Sequence, residues 1–124
     1  MTDPLARVLV IDDDPINLEL VERRLEVAGF SPELVETGLA GLERALTAPF
    51  AAVLLDLRLP DLNGLEVLAR LRQERPALPV IVMTAHGSEA IAEIALATGA
   101  ARYLIKPVAR QDLLNAVREA IGGP

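Results

Sequence analysis

Apolar residues along this chain fall into five short runs, each followed by a stretch with helical spacing. The runs are Arg7 to Ile11, Ser31 to Glu36, Ala51 to Leu55, Val80 to Met83 and Arg102 to Ile105. The first, third and fourth are nearly continuous and rich in Val, Ile or Leu, as in a parallel strand covered on both faces. The second alternates, which suits a strand at an edge. The helical stretches carry apolar stripes predicted to be core faces. These are Ile16, Leu20, Val21, Leu25 and Val27; Leu39, Leu42, Ala45 and Leu46; Leu65, Leu68, Ala69 and Leu71; Ile91, Ile94, Ala95 and Ala97; and Leu113, Leu114, Val117 and Ile121. Punctuation agrees with the stripes. Asp14 before Pro15 is a helix start, Thr37 a second N-cap, and Gly29, Pro76 and Gly99 are stops.

Strands alternating with helices imply βαβ units and a parallel sheet with right-handed crossovers. Five such units in 124 residues suit an open, doubly wound α/β sheet and are too few for an eight-fold barrel. One domain is expected over residues 1–124, with no repeat or linker. Gly122-Gly123-Pro124 reads as a tail or the start of a linker.

Composition narrows the function. Twelve basic against eighteen acidic residues leave a net charge of −6, which speaks against direct binding to nucleic acid. No basic amphipathic helix points to a membrane surface. No cysteine is present, so disulfides and thiol chemistry are excluded. The first residues lack a signal-peptide pattern, and no apolar stretch approaches a membrane span, so a cytoplasmic location is expected. Of the basic residues, Lys106 is the single lysine and all others are arginine. Arginine is a planar fork and lysine a compact point charge, so the exception marks a position where the ammonium itself is needed.

The ends of the strands supply the partners. In an open α/β sheet, ligands bind outside the carboxyl ends of the strands. The first run ends in Asp12-Asp13-Asp14, the third in Asp56, the fourth in Thr84 and the fifth in Lys106. Taken singly, Asp14 is an N-cap, Asp12 and Asp13 are loop carboxylates near a helix start, and Thr84 caps the next helix. Together they set carboxylates against one ammonium and one hydroxyl on a single rim. Crowded carboxylates raise a pKa or recruit a cation, and hard oxygens suit Mg²⁺. Such a site reads as phosphoryl transfer onto a carboxylate, with charge neutralised by metal and lysine.

At this point the chain resembles receiver domains of two-component response regulators. The matching motifs are Val10-Ile11-Asp12-Asp13, Leu54-Leu55-Asp56 running on through Pro60 to Gly64, Met83-Thr84-Ala85, and Tyr103-Leu104-Ile105-Lys106-Pro107. They span essentially the whole chain in the family's order. The resemblance implies a flavodoxin-like fold with strand order 2-1-3-4-5 and five helices; this family is a standing example of that order. It implies Asp56 as phospho-acceptor from a sensor histidine kinase or histidine phosphotransfer protein, with intrinsic autodephosphorylation. It implies Mg²⁺ held by Asp13, Asp56 and the Arg58 backbone carbonyl, with Asp12 acting through water. Lys106 and Thr84 would meet the phosphoryl oxygens. Thr84 and Tyr103 would form the switch, signalling through the helix 4, strand 5 and helix 5 face to an effector or a phosphorylation-dependent homodimer. The Lys106-Pro107 bond is expected to be cis. Arg58 and His86 occupy variable positions that tune acyl-phosphate lifetime, His86 being otherwise a plain loop histidine, and Arg102 stands where the family often has an acid.

Two rival classes make different demands. A Mg²⁺-dependent phosphohydrolase with an Asp nucleophile wants an acid two residues after Asp56, where this chain has Arg58. A flavin- or nucleotide-binding module wants a Gly- or Ser/Thr-rich loop after the first strand, where this chain has three aspartates that repel phosphate.

Overall fold

The computed structural model describes residues 5–85 and 87–122. Its elements alternate strictly: β1 (Arg7–Ile11), α1 (Pro15–Val27), β2 (Ser31–Val35), α2 (Gly38–Thr47), β3 (Ala52–Asp56), α3 (Gly64–Glu74), β4 (Val80–Thr84), α4 (Glu89–Thr98), β5 (Arg102–Ile105) and α5 (Arg110–Gly122). All strand pairings are parallel and the order is β2-β1-β3-β4-β5, as expected. Strand order therefore reverses between β1 and β3, and the loops after those two strands diverge to leave a crevice.

The pleat sorts the core into two layers. Leu9, Ile11, Val53, Leu55, Val80 and Val82 face α2, α3 and α4. Val8, Val10, Leu54, Ile81, Met83 and Leu104 face α1 and α5. Period-2 alternation carries this sorting past the strand ends. Asp12, Asp56 and Lys106 continue the α1/α5 set, and Thr84 and Tyr103 the α4 set. The site is thus split across the sheet, with charges on one side and the hydroxyl on the other.

Several helix faces differ from the predicted stripes. In α1 the sheet is met by Leu18, Val21 and Leu25, while Ile16 and Val27 are 78% and 72% exposed and Leu20 is also exposed. Leu39 of α2, Ala69 of α3, and Ile94 and Ala97 of α4 likewise face outward, and Val67 is buried in place of Ala69. In α4 only Ala95 is buried, so this helix rests lightly on the sheet. The reason is general. These helices carry more apolar residues than one face holds, and the rotation of a helix about its axis is set by the crossover and its caps. Predicted caps behave as expected: Asp14 accepts from the Ile16 N–H with Pro15 in the first turn, and Thr37 accepts from Ala40. His86 and the Gly123-Pro124 tail lie outside the described residues.

Candidate functional site

The described residues contain three buried polar or charged side chains: Asp12, Asp56 and Thr84. All three lie at the carboxyl rim. Burial of a carboxylate is costly unless it is paired, so their placement calls for a specific compensation. Ile11 pairs with Leu55 across β1 and β3, which brings Asp12 and Asp56 side by side one step further on. The compensation is Lys106. Its ammonium lies 2.7 Å from Asp12 Oδ2 and 2.8 Å from Asp56 Oδ2. The Lys106 backbone N–H donates to the Thr84 carbonyl, which fixes the end of β5 against β4. The following Lys106-Pro107 bond is cis, as the resemblance implied.

Each acid has further partners. Asp56 Oδ1 accepts from the Arg58 N–H at 2.9 Å. Asp12 Oδ1 accepts from the Asp14 N–H at 2.9 Å, and Asp12 Oδ2 from the side-chain amide of Asn17 at 2.6 Å. Sequence reasoning missed Asn17. Its one signal was a short amide in the first turn of α1, on no predicted stripe. Asp13 is exposed at the mouth, and one carboxylate oxygen each from Asp12, Asp13 and Asp56 lie within 4.8 Å of one another. This hard oxygen set, open on one side, fits Mg²⁺, which takes one or two protein carboxylates and keeps several waters.

Electrostatics follow from that geometry. Burial pushes the Asp56 carboxyl above its ordinary value, against the Lys106 and Arg58 hydrogen bonds that favour its charged form, and the Asp12 charge pushes the same way as burial. Burial alone would lower Lys106, but its hydrogen bonds and charge contacts with Asp12 and Asp56 outweigh it and hold the ammonium above its ordinary pKa. Two acids facing one base leave the cluster short of positive charge, the condition in which a cation binds.

The loop from β3 to α3 is shaped by close contacts. The Gly64 N–H donates to the Leu57 carbonyl, and Asn63 caps α3 by accepting from Leu65. A Cβ at Gly64 would stand 2.4 Å from Leu57 Cα and 2.8 Å from the Asp56 carbonyl oxygen, so only glycine closes this turn. Asp61 accepts from the Gly38 and Leu39 N–H groups at the start of α2, and those bonds hold its carboxyl below the usual carboxylate range.

On the other side of the sheet, Thr84 does not cap α4; Ser88 does. Thr84 instead lines a recess of about 200 Å³ with Leu57, Arg58, Asn63, Leu65 and Ile91. Tyr103 lies against the α2–α4 core layer, its hydroxyl buried with no hydrogen-bond partner among the described residues. A Cβ at Gly87 would come within 2.0 Å of that oxygen. Gly87 therefore makes the slot that admits the inward ring. Arg102 pairs with Glu119 of α5 at 2.7 Å, so the departure from the family's acid serves to tie β5 to α5.

A parallel doubly wound sheet whose rim sets buried aspartates against one lysine defines a phosphoryl-handling α/β module, and known proteins show which. Residues 8–118 match the response regulator receiver domain model. The chain belongs to that family. It is 40% identical over 110 residues to the photosynthetic apparatus regulatory protein RegA of Rhodovulum sulfidophilum, covering 89% of this chain and 60% of RegA. The chain thus spans less than two thirds of that relative's length. A receiver domain protein (CheY-like) from Methanospirillum hungatei superposes with a TM-score of 0.92 at 32% identity, over 97% of this chain and 96% of that one. A response regulator from Burkholderia pseudomallei, solved with a phosphorylated aspartic acid and a calcium ion, matches at a TM-score of 0.85 and 30% identity, over 93% and 68%. The receiver domain of the sensor histidine kinase PA1611 from Pseudomonas aeruginosa, with magnesium coordinated in its active-site cleft, matches at 0.88 and 29%, over 96% and 99%.

Proposed function

We propose that this receiver domain is a phosphorylation-controlled switch in which Asp56 accepts a phosphoryl group from a phosphohistidine on a sensor histidine kinase or histidine phosphotransfer protein. The observation that carries the proposal is Asp56 itself, a buried carboxylate within hydrogen-bond reach of the chain's only lysine and beside two further acids. An Asp56 oxygen attacks phosphorus, the phosphorus–nitrogen bond breaks, and the imidazole nitrogen leaves with the electron pair. In autodephosphorylation water attacks the same phosphorus, and the bond to the Asp56 oxygen breaks. The Arg58 N–H holds Oδ1 and so orients the carboxylate. Lys106 turns its ammonium toward the new phosphoryl oxygens, and Thr84 offers its hydroxyl from the other side of the sheet. Asp13, Asp56 and the Arg58 carbonyl would hold Mg²⁺ directly, with Asp12 acting through water; the bound ion supplies charge neutralisation for the transferring group.

Partner surfaces follow. Exposed Ile16 and Leu20, one helical turn apart on α1 beside the acidic rim, give an apolar footing for the donor protein. The output face is α4, β5 and α5, where Ile94 and Ile105 are exposed and α4 is lightly held; a downstream effector or a phosphorylation-dependent second copy would use it. No helix among the described residues is long and apolar enough to cross a membrane, in keeping with cytoplasmic action. The phosphohydrolase reading gains nothing, because the residue two past Asp56 is an exposed arginine and not an acid.

The direct test is labelling with acetyl phosphate and Mg²⁺, followed by intact mass. The wild type gains one phosphoryl group and Asp56→Asn gains none; labelling of the variant at the wild-type rate would reject the assignment. The switch has its own test. A methyl at Gly87 meets only the far end of the Tyr103 ring, which can rotate away, so Gly87→Ala is expected to expel the ring to solvent without unfolding the domain. With one tyrosine and no tryptophan, fluorescence quenching by iodide reads that ring alone. Unchanged quenching in Gly87→Ala would show that the slot does not govern Tyr103.

A further inference from the structure

Asp12 Oδ2 has two side-chain donors, the Lys106 ammonium at 2.7 Å and the Asn17 amide at 2.6 Å. The amide nitrogen must face the carboxylate, because two oxygens at that distance would repel. Asp12 is fully buried, and among the described residues its other oxygen is held by the Asp14 backbone N–H alone. If Lys106 turns to a phosphoryl group on Asp56, Asp12 loses its one direct charged partner among the described residues and meets the metal only through water. A buried carboxylate left short of donors opposes that departure. Asn17 reaches Asp12 from the first turn of α1 and has no hydrogen bond to Lys106 among the described residues.

We propose that Asn17 is a positioning residue that retains Asp12 and thereby frees Lys106 for the phosphoryl group; this rests on the reading of Asp56 as the acceptor. Asn17 makes no contact with the reacting atoms. It sets how readily the single ammonium changes partner. Removing its amide binds Lys106 more firmly to Asp12, which then competes with the phosphoryl oxygens.

The unique lysine makes the exchange observable. Protein labelled with ¹³C at the lysine ε-carbon gives one lysine resonance, followed during titration with beryllofluoride and Mg²⁺ and compared with acetyl phosphate labelling rates. Asn17→Leu, similar in size but without donors, is expected to slow labelling about tenfold and to need about tenfold more beryllofluoride to move the Lys106 signal. Asn17→Gln keeps an amide and is expected to recover most of both. Equal impairment by Asn17→Leu and Asn17→Gln would overturn the proposal in favour of plain packing, as would wild-type behaviour of Asn17→Leu. Should Asn17→Leu fail to fold, Asn17→Ala, checked by its urea midpoint, carries the same expectations and the same refutations. A wild type that neither labels nor shifts its lysine signal overturns the acceptor reading and this proposal with it, whereas a labelled wild type matched by Asn17→Leu overturns this proposal alone.

Discussion

Arginine in place of Lys106 is expected to slow phosphoryl labelling of Asp56 on the order of a hundredfold, although the charge is conserved. The side chain is only 12% exposed and its ammonium sits between two carboxylate oxygens 2.7 and 2.8 Å away. That slot is cut for a point charge. A guanidinium is wider, carries its donors in a fixed fork, and pairs bidentately with carboxylates. Held by Asp12 and Asp56 together, it would stay where the phosphoryl group has to arrive, and its charge would sit about an ångström from the productive position. A displacement of about an ångström at the reacting centre costs on the order of a hundredfold in rate. The check is the acetyl phosphate labelling rate at saturating Mg²⁺, with the urea midpoint measured alongside. Wild-type labelling by Lys106→Arg would mean that the lone lysine matters for its charge only.

A methyl group at Gly64 is expected to destabilise the domain by about 3 kcal/mol, lowering its melting temperature by roughly 10 °C. The conflict is with backbone: Leu57 Cα at 2.4 Å and the Asp56 carbonyl oxygen at 2.8 Å. No rotamer change relieves it, so the loop after β3 must open or α3 must shift. Either movement displaces Asp56 and the Arg58 N–H that orients it, and labelling should fall with stability. Gly122→Ala is the control, since nothing lies within 4 Å of its added Cβ. Urea denaturation of the two variants decides the matter, and equal midpoints would show that the loop yields at little cost.

Pattern alone carried far here. Runs predicted at Arg7 to Ile11 and Arg102 to Ile105 are the observed β1 and β5; the central strands run on to include Asp56 and Thr84, with β3 starting at Ala52 and not Ala51, and β2 stops at Val35, one residue short of the predicted Glu36. Strand ends were legible because a buried parallel strand is an uninterrupted apolar run, and the first charge or hydroxyl after it marks the rim. Since the fold delivers every such end to one edge, Asp12, Asp13, Asp56, Thr84 and Lys106 could be assembled without coordinates. Helix faces were less legible. Ile16, Val27, Leu39 and Ile94 are apolar at helical spacing yet exposed, because spacing names a stripe and the neighbouring elements choose which stripe is covered.

The chain by itself determined the inventory of the site: which residue types stand at which strand end, and that one of them is the only ammonium. Tertiary structure decided who meets whom. Lys106 takes Asp12 and Asp56 and leaves Asp13 at the open mouth, Asn17 joins from α1, and Gly87 opens a slot for Tyr103. Those pairings rest on pleat parity and on the approach of α1 and α4 to the rim. Such contacts join residues as far apart in sequence as Asp12 and Lys106, and local periodicity has no term for them.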